Sequence, residues 1–168
     1  MTNRSNVPVD GEDLVSRLTD STVLTEDRTT GDVDLTEGFR RDWRRRIRHF
    51  RTREPIDFVA LLLDTDPDSL TIDETDDGLT VQVSGTTVGE WPSKAALVAD
   101  VAAFLTLQEA LPEWGELEAT TRDELIGRLR VFLKTCPTCD GSLDTEQGDN
   151  SHAEPPRMVC TDCGAVLV

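Results

Sequence analysis

The chain has 168 residues, 37% of them hydrophobic and 30% charged, with 33 acidic side chains against 17 basic ones and a formal net charge of −16. That length suits one domain, or one domain with a small appendage, and is enough to bury a core, while the composition excludes a fibrous chain. The longest apolar-rich stretch, Ala95 to Leu111, is too short and too polar to span a bilayer, and Met1 to Asp10 lacks the apolar run of a secretory signal, so a soluble cytoplasmic protein is expected.

Residues 1–9 are polar and read as a disordered tail. Asp10 can cap a short helix in which Leu14, Val15 and Leu18 share a face. Ser21 to Asp34 reads as a loop with at most one short strand. Thr36 is the N-cap of a long predicted helix ending near Arg53. In it Phe39, Trp43, Ile47 and Phe50 recur at helical spacing and form an apolar stripe. Arg40, Arg41, Arg44, Arg45, Arg48 and Arg51 lie on the other side. Glu37 with Arg41, and Asp42 with Arg46, are spaced for ion pairs along the helix.

Glu54-Pro55 breaks this helix, and Pro55 can start another, Ile56 to Leu63. Asp64 to Asp68 is a turn. Leu70 and Ile72, then Leu79, Val81 and Val83, alternate with polar residues on either side of Asp77-Gly78, a hairpin pattern; Thr86 to Trp91 adds a third strand. Ser93 caps the next helix, Ala95 to Leu111, which is apolar on most sides and so is expected at the centre of its domain. After a loop from Pro112 to Thr120, Thr121 and Glu124 form a capping box for a last helix, with Leu125, Ile126, Leu129, Phe132 and Leu133 buried.

All four cysteines fall near the end, as Cys136-Pro-Thr-Cys139 and Cys160-Thr-Asp-Cys163, with 20 residues between the pairs. That spacing is in the range of structural zinc sites. Each pair can present two sulfurs to one ion about 2.3 Å away, and two pairs complete a tetrahedron. Gly141 and Gly164 follow the pairs and permit a left-handed turn there. So few apolar residues lie in this tail that a metal must supply much of its folding energy. Disulfides do not suit an intracellular chain. A redox dithiol would need one pair and a surrounding βαβ pattern. A rubredoxin-like iron site has the same geometry and stays open as an alternative. Four thiolates close the coordination sphere, which leaves no position for catalysis. His152 lies in the polar loop between the pairs and reads as solvated.

The charge is uneven. Residues 36–53 hold eight Arg against Glu37 and Asp42, a balance of +6, whereas the rest of the chain, with nine basic and 31 acidic residues, carries −22. A basic helix face can bind nucleic acid, and Arg offers a rigid fork for phosphate or carboxylate. Two other uses are open: pairing with the seven acids of Asp64 to Asp77, or meeting a partner's acidic surface. Only two residues are Lys, against 15 Arg, and Asp supplies 20 of the acids, a balance that suits a salty cytosol. High salt weakens non-specific attraction to phosphate. The Asp64-x-Asp66-x-Asp68 run is no calcium loop, because Ser69 and Thr75 stand where that loop needs Gly and Glu. His49 reads as a surface residue. No nucleophile elbow, phosphate loop or dinucleotide fingerprint is present.

The run from Trp91-Pro-Ser-Lys-Ala-Ala-Leu to Phe104, the Arg130-Val-Phe-Leu-Lys-Thr-Cys136 segment and the Cys-Thr-Asp-Cys-Gly ending together resemble a family of small uncharacterised haloarchaeal proteins with a C-terminal zinc ribbon. The resemblance covers residues 36–168. It implies a cytoplasmic location and a metal site at Cys136, Cys139, Cys160 and Cys163, with no assigned activity. Asp140 stands where many ribbon knuckles carry Gly, and the loop from Asp140 to Glu154 is acidic, which speaks against a ribbon that itself grips nucleic acid.

The expected fold is therefore α+β: a mostly helical domain over residues 10–134 with a small antiparallel sheet, then a three-stranded zinc ribbon over residues 135–168. The expected function is non-enzymatic, with one structural Zn2+. The ribbon and Arg40, Arg41, Arg44, Arg45, Arg48 and Arg51 would face another macromolecule, a protein or, in the second reading, DNA or RNA. No membrane partner and no small-molecule substrate is expected.

Overall fold

The computed structural model of the chain describes Leu18, residues 22–146 and residues 157–168. The expected tail 1–9, most of the short helix after Asp10 and the loop carrying His152 lie outside the described residues. Among those described, the fold is α+β, with four α-helices and three small antiparallel sheets. No helix among them is long and apolar enough to cross a membrane.

Two short strands, β1 (Leu24–Glu26) and β2 (Val33–Leu35), pair as a hairpin where the sequence reads as loop. Each buries only a single leucine, Leu24 or Leu35, so neither shows an alternating pattern long enough to read. Helix α1 runs from Glu37 to Phe50, and the hydroxyl of its N-cap Thr36 accepts from the Phe39 N–H at 3.3 Å. It ends at the C-cap Arg51, short of the expected Arg53. Phe39, Trp43, Ile47 and Phe50 are buried as predicted. The predicted pairs of Glu37 with Arg41 and Asp42 with Arg46 do not form. Asp42 instead meets Arg41 at 3.4 Å and Arg45 at 3.6 Å, and Arg46 reaches across to Glu109. A long guanidinium at the helix edge takes a carboxylate from a neighbouring element when packing brings one within reach.

Helix α2 (Pro55–Leu62) begins at Pro55, as expected. Strands β3 (Leu70–Thr75), β4 (Gly78–Val83) and β5 (Thr86–Trp91) form an antiparallel meander in the order β3-β4-β5. Leu70, Leu79 and Val81 carry its buried side. The register shifts between Val81 and Gln82, so Val88 on β5 is unpaired and half-exposed. A bulge of this kind twists an edge strand and blocks further pairing.

Helix α3 (Lys94–Ala110) is the centre of the molecule, and its N-cap is Ser93, as predicted. Ala95, Ala96, Ala99, Ala102 and Ala103 fall within a sector of about 120° at 100° per residue and are all buried. Lacking bulk, this face lets neighbouring backbones come close. The Trp43 indole N–H of α1 donates to the Ala99 carbonyl at 2.9 Å, a buried contact between the two helices. Leu97, Val98, Val101 and Leu107 fill the remaining sides.

Trp114 is buried in a short 3-10 turn (Trp114–Glu116) that packs its ring edge-on to Phe104. Helix α4 (Ala119–Leu129) starts two residues before Thr121, so the expected capping box is absent. Glu124 instead pairs along the helix with Arg128 at 2.5 Å. A 3-10 turn, Arg130–Phe132, leads into the cysteine-bearing tail.

That tail contains β6 (Leu143–Glu146) and β7 (Arg157–Cys160), an antiparallel pair. Among the described residues the expected third strand is reduced to isolated bridges, Thr135 to Ser142 and Val159 to Val166. The tail packs on the N-terminal turn of α3. Ser93 Oγ accepts from the Ala96 N–H at 3.1 Å and donates to the Val166 carbonyl at 2.6 Å, so one hydroxyl caps the helix and holds the tail. Leu167 is fully buried in a cluster with Ala95, Ala96, Cys136 and Cys160. Arg130 Nη1 donates to the Leu167 carbonyl at 2.8 Å, and its Nε meets the Asp100 carboxylate of α3 at 2.9 Å, off the line of a hydrogen bond. Burial pushes the Asp100 carboxyl above its usual range, against the pull of Arg130 and the Trp91 indole N–H, which donates to it at 2.8 Å.

Leu167→Ala should cost about 2–5 kcal/mol, the usual penalty for deleting a fully buried leucine side chain. Chemical denaturation measures it. Hydrogen exchange should show the loss first in β6 and β7, with α1 and α3 still protected.

Candidate metal centre

The two cysteine pairs are built by the same local device. In the first, the Cys136 N–H donates to the Gly141 carbonyl at 2.9 Å and the Asp140 N–H to the Cys136 carbonyl at 3.0 Å. In the second, the Cys160 N–H donates to the Ala165 carbonyl at 2.9 Å and the Gly164 N–H to the Cys160 carbonyl at 3.0 Å. Each pair is thus a tight knuckle closed on itself. The left-handed position is Gly164 in one knuckle (φ +76°) and Asp140 in the other (φ +59°). Asp is among the few non-glycine residues that adopt this conformation readily.

Gly141, predicted to supply the turn, has another role. A Cβ at this position would clash with the Asp162 side chain, so glycine here lets the two knuckles approach each other. The Thr161 N–H completes the join by donating to the Ser142 carbonyl at 2.9 Å.

This approach brings the four sulfurs together. Cys136 and Cys163 lie 3.7 Å apart, Cys139 and Cys160 lie 3.4 Å apart, and all four Sγ atoms fall within 4.8 Å of one another. A tetrahedral ion with bonds of about 2.3 Å needs sulfurs separated by about 3.8 Å. The set therefore fits one metal ion. All four are free thiols, with Cys136 and Cys160 buried and Cys139 and Cys163 exposed.

The sulfurs are tuned by what surrounds them. Burial pushes the Cys136 thiol up, against hydrogen bonds from Thr138 and from backbone N–H groups. Despite the Gly141 N–H, which favours its thiolate, the nearby sulfurs, Cys160 first among them, push Cys139 up to about 12. Cys160 is opposed by burial, yet the N–H groups of Cys163 and Asp162 bring it down to about 7. The Cys160 thiolate is thus favoured, while burial at Cys136 and the crowding of sulfurs at Cys139 favour the protonated thiol. A bound cation overcomes both effects and lets all four ionise.

The arginine helix does not present one face. Arg40, Arg44 and Arg51 turn toward side chains of β2 and the first knuckle. Arg40 pairs with Asp34 of β2 at 2.5 Å, Arg44 Nη2 donates to Thr135 Oγ1 at 2.5 Å, and Arg51 meets Asp140 at 2.7 Å. The Arg51 guanidinium, with Arg48 and Arg44 behind it, holds the Asp140 carboxyl below the usual carboxylate range. Arg41, Arg45 and Arg48 stay exposed. Among the described residues, no ion pair joins this helix to the acidic segment Asp64 to Asp77. The intramolecular partners are instead Asp34, Glu109 and Asp140. Of these, Asp140 was noted in the sequence only as a departure from the glycine of other knuckles. The exposed His49 lies edge-on to Phe50.

The chain is therefore an α+β protein whose C-terminal tail gathers four cysteines into a ribbon-like site able to hold a metal ion. Residues 13–131 match the central domain of a family of unknown function, DUF8054, and since this is well over half of the chain, the protein belongs to that family. The match stops short of the four cysteines. No curated protein and no solved structure matches the chain.

Two outcomes are expected of the site. Acidification should release bound metal, since the ion requires thiolates and protons compete for them as the pH falls; a chromophoric chelator reads the release. Cys163→Ser should weaken binding, and by hydrogen exchange the metal-loaded variant should lose amide protection in residues 157–168 while α1 stays protected.

Proposed function

We propose that this is a non-enzymatic zinc-ribbon protein that acts as a regulatory or adaptor module, binding another macromolecule in a halophilic cytosol. One structural Zn2+ would sit at Cys136, Cys139, Cys160 and Cys163. The observation that carries the reading is the closure of the site. All four ligand positions of a tetrahedral ion are taken by sulfurs of the chain itself, so no position is left for a substrate or a reactive water. The ribbon is also fixed to the domain through Ser93, Arg130 and Leu167, which suits scaffolding of a surface.

A second reading, a DNA- or RNA-binding regulator, draws support from the exposed Arg41, Arg45 and Arg48, which repeat every four and three residues along α1. Against it, Asp42 ion-pairs with both Arg41 and Arg45, and this reduces the field that would attract phosphate. A rubredoxin-like electron carrier is the third and weakest reading.

Purified protein should be colourless and carry one zinc per chain by elemental analysis; iron with visible absorption would overturn the zinc assignment. Affinity isolation at native salt should recover the same protein partner with and without nuclease. A partner lost on nuclease treatment favours the second reading.

A further inference from the structure

The seam between α1 and the first knuckle contains a cleft that borders the metal site at Cys136 and is otherwise lined by residues that hold no metal. Its floor is apolar, offered by the half-buried Phe132 and Leu133 of the segment that leads into the tail, with the buried Trp43 and Ile47 of α1 completing the lining. Its rim is cationic, with Arg44, Arg48 and Lys134. Asp140 is the one carboxylate in the lining, and among the described residues none of these three cations is in an ion pair. Arg44 donates to the neutral Thr135 hydroxyl. Arg48 and Lys134 are exposed and form no ion pair with a described residue, although Asp140 and Asp34 lie within reach of their fields. The other two arginines nearby are matched, Arg40 by Asp34 and Arg51 by Asp140. The lining thus keeps an excess of positive charge on a chain of net charge −16.

The cleft is narrow. Its cavity volume is about 30 Å³, room for an aliphatic tip and too little for a nucleobase. Trp43 is only 2% exposed, so its ring offers no platform for base stacking. Arg forks at the rim suit carboxylates held close and bidentate. Contacts of that kind, with an apolar anchor beneath them, persist at molar salt, where the Debye length falls to about 3 Å and long-range attraction is lost.

We propose that this cleft docks an acidic segment of a partner protein, with one aliphatic side chain seated on the apolar floor and flanking carboxylates on Arg44, Arg48 and Lys134. The inference rests on the adaptor reading and names the chemistry of the partner. It places the docking site beside the first knuckle, so metal loading of the ribbon holds one wall of the cleft.

A displayed library of random peptides, panned at native salt against the full-length, metal-loaded protein, tests it. The comparison protein is the double variant Arg48→Glu, Lys134→Glu, whose altered residues are exposed and whose metal content and circular dichroism should match wild type. Enriched peptides should share an aliphatic residue flanked by Asp or Glu. They should bind wild type at least about tenfold more tightly than the double variant, as expected when rim charges are reversed. Replacing their aliphatic residue by Ser should abolish binding. Enrichment without that pattern, equal binding to both proteins, or short duplex DNA binding in place of any peptide overturns the proposal. A lysate partner that the double variant still retains also overturns it, and leaves the adaptor reading standing.

Discussion

Helix α3 touches both the arginine helix and the cysteine tail because the face it turns to them is built from alanine. Ala99 lies where the Trp43 indole must reach a backbone carbonyl, and Ala95 and Ala96 lie where Leu167 is buried. A larger side chain at any of these positions would hold its neighbour away, and dense packing leaves no spare volume to absorb it. The Ser93 hydroxyl adds direction to this contact, since it binds the helix start and the tail at once. Helices α1, α2 and α4 and strand β5 all pack on this one helix.

The cysteine site gains its order from two levels. Within each knuckle, a left-handed residue and two backbone hydrogen bonds fix the pair of sulfurs, using only neighbours in sequence. Between knuckles, the bare backbone of Gly141 against Asp162 and the Ser142–Thr161 contacts set the separation. Two sulfurs then face the protein and two face solvent. The buried pair shares its cluster with Leu167 and the first turn of α3, so a metal held by the cysteines would be coupled to docking of the tail. An ion held there would act on the arginine helix through Thr135 and Asp140 of the first knuckle, which Arg44 and Arg51 meet.

Electrostatics divides α1 into three strips. One is buried and apolar. One, with Arg40, Arg44 and Arg51, turns toward β2 and the knuckle, where Arg40 and Arg51 are paired with carboxylates. The last, with Arg41, Arg45 and Arg48, faces water. Exposed ion pairs add little to stability, so the pairs to Asp34 and Asp140 matter more for orientation than for free energy. They hold the helix against the knuckle and leave Arg48 beside Lys134 at the mouth of the cleft.

Much of this was legible in the sequence. The helices over Glu37–Phe50, Pro55–Leu62 and Lys94–Ala110, the caps Thr36 and Ser93, the meander from Leu70 to Trp91 and the four cysteines depend on local periodicity, capping chemistry and ligand spacing, all of which act over a few residues. The hairpin of β1 and β2 was not, because its short strands each bury only one leucine, Leu24 or Leu35. The start of α4 was also missed, since Thr121-x-x-Glu124 satisfies a local rule that the helix overrides by starting earlier. What tertiary structure alone decided was pairing across distance. Arg46 finds Glu109, Arg51 finds Asp140 and Arg130 finds Asp100 only after α3 has gathered its neighbours, because a long charged side chain carries no mark of its partner until packing brings one within reach.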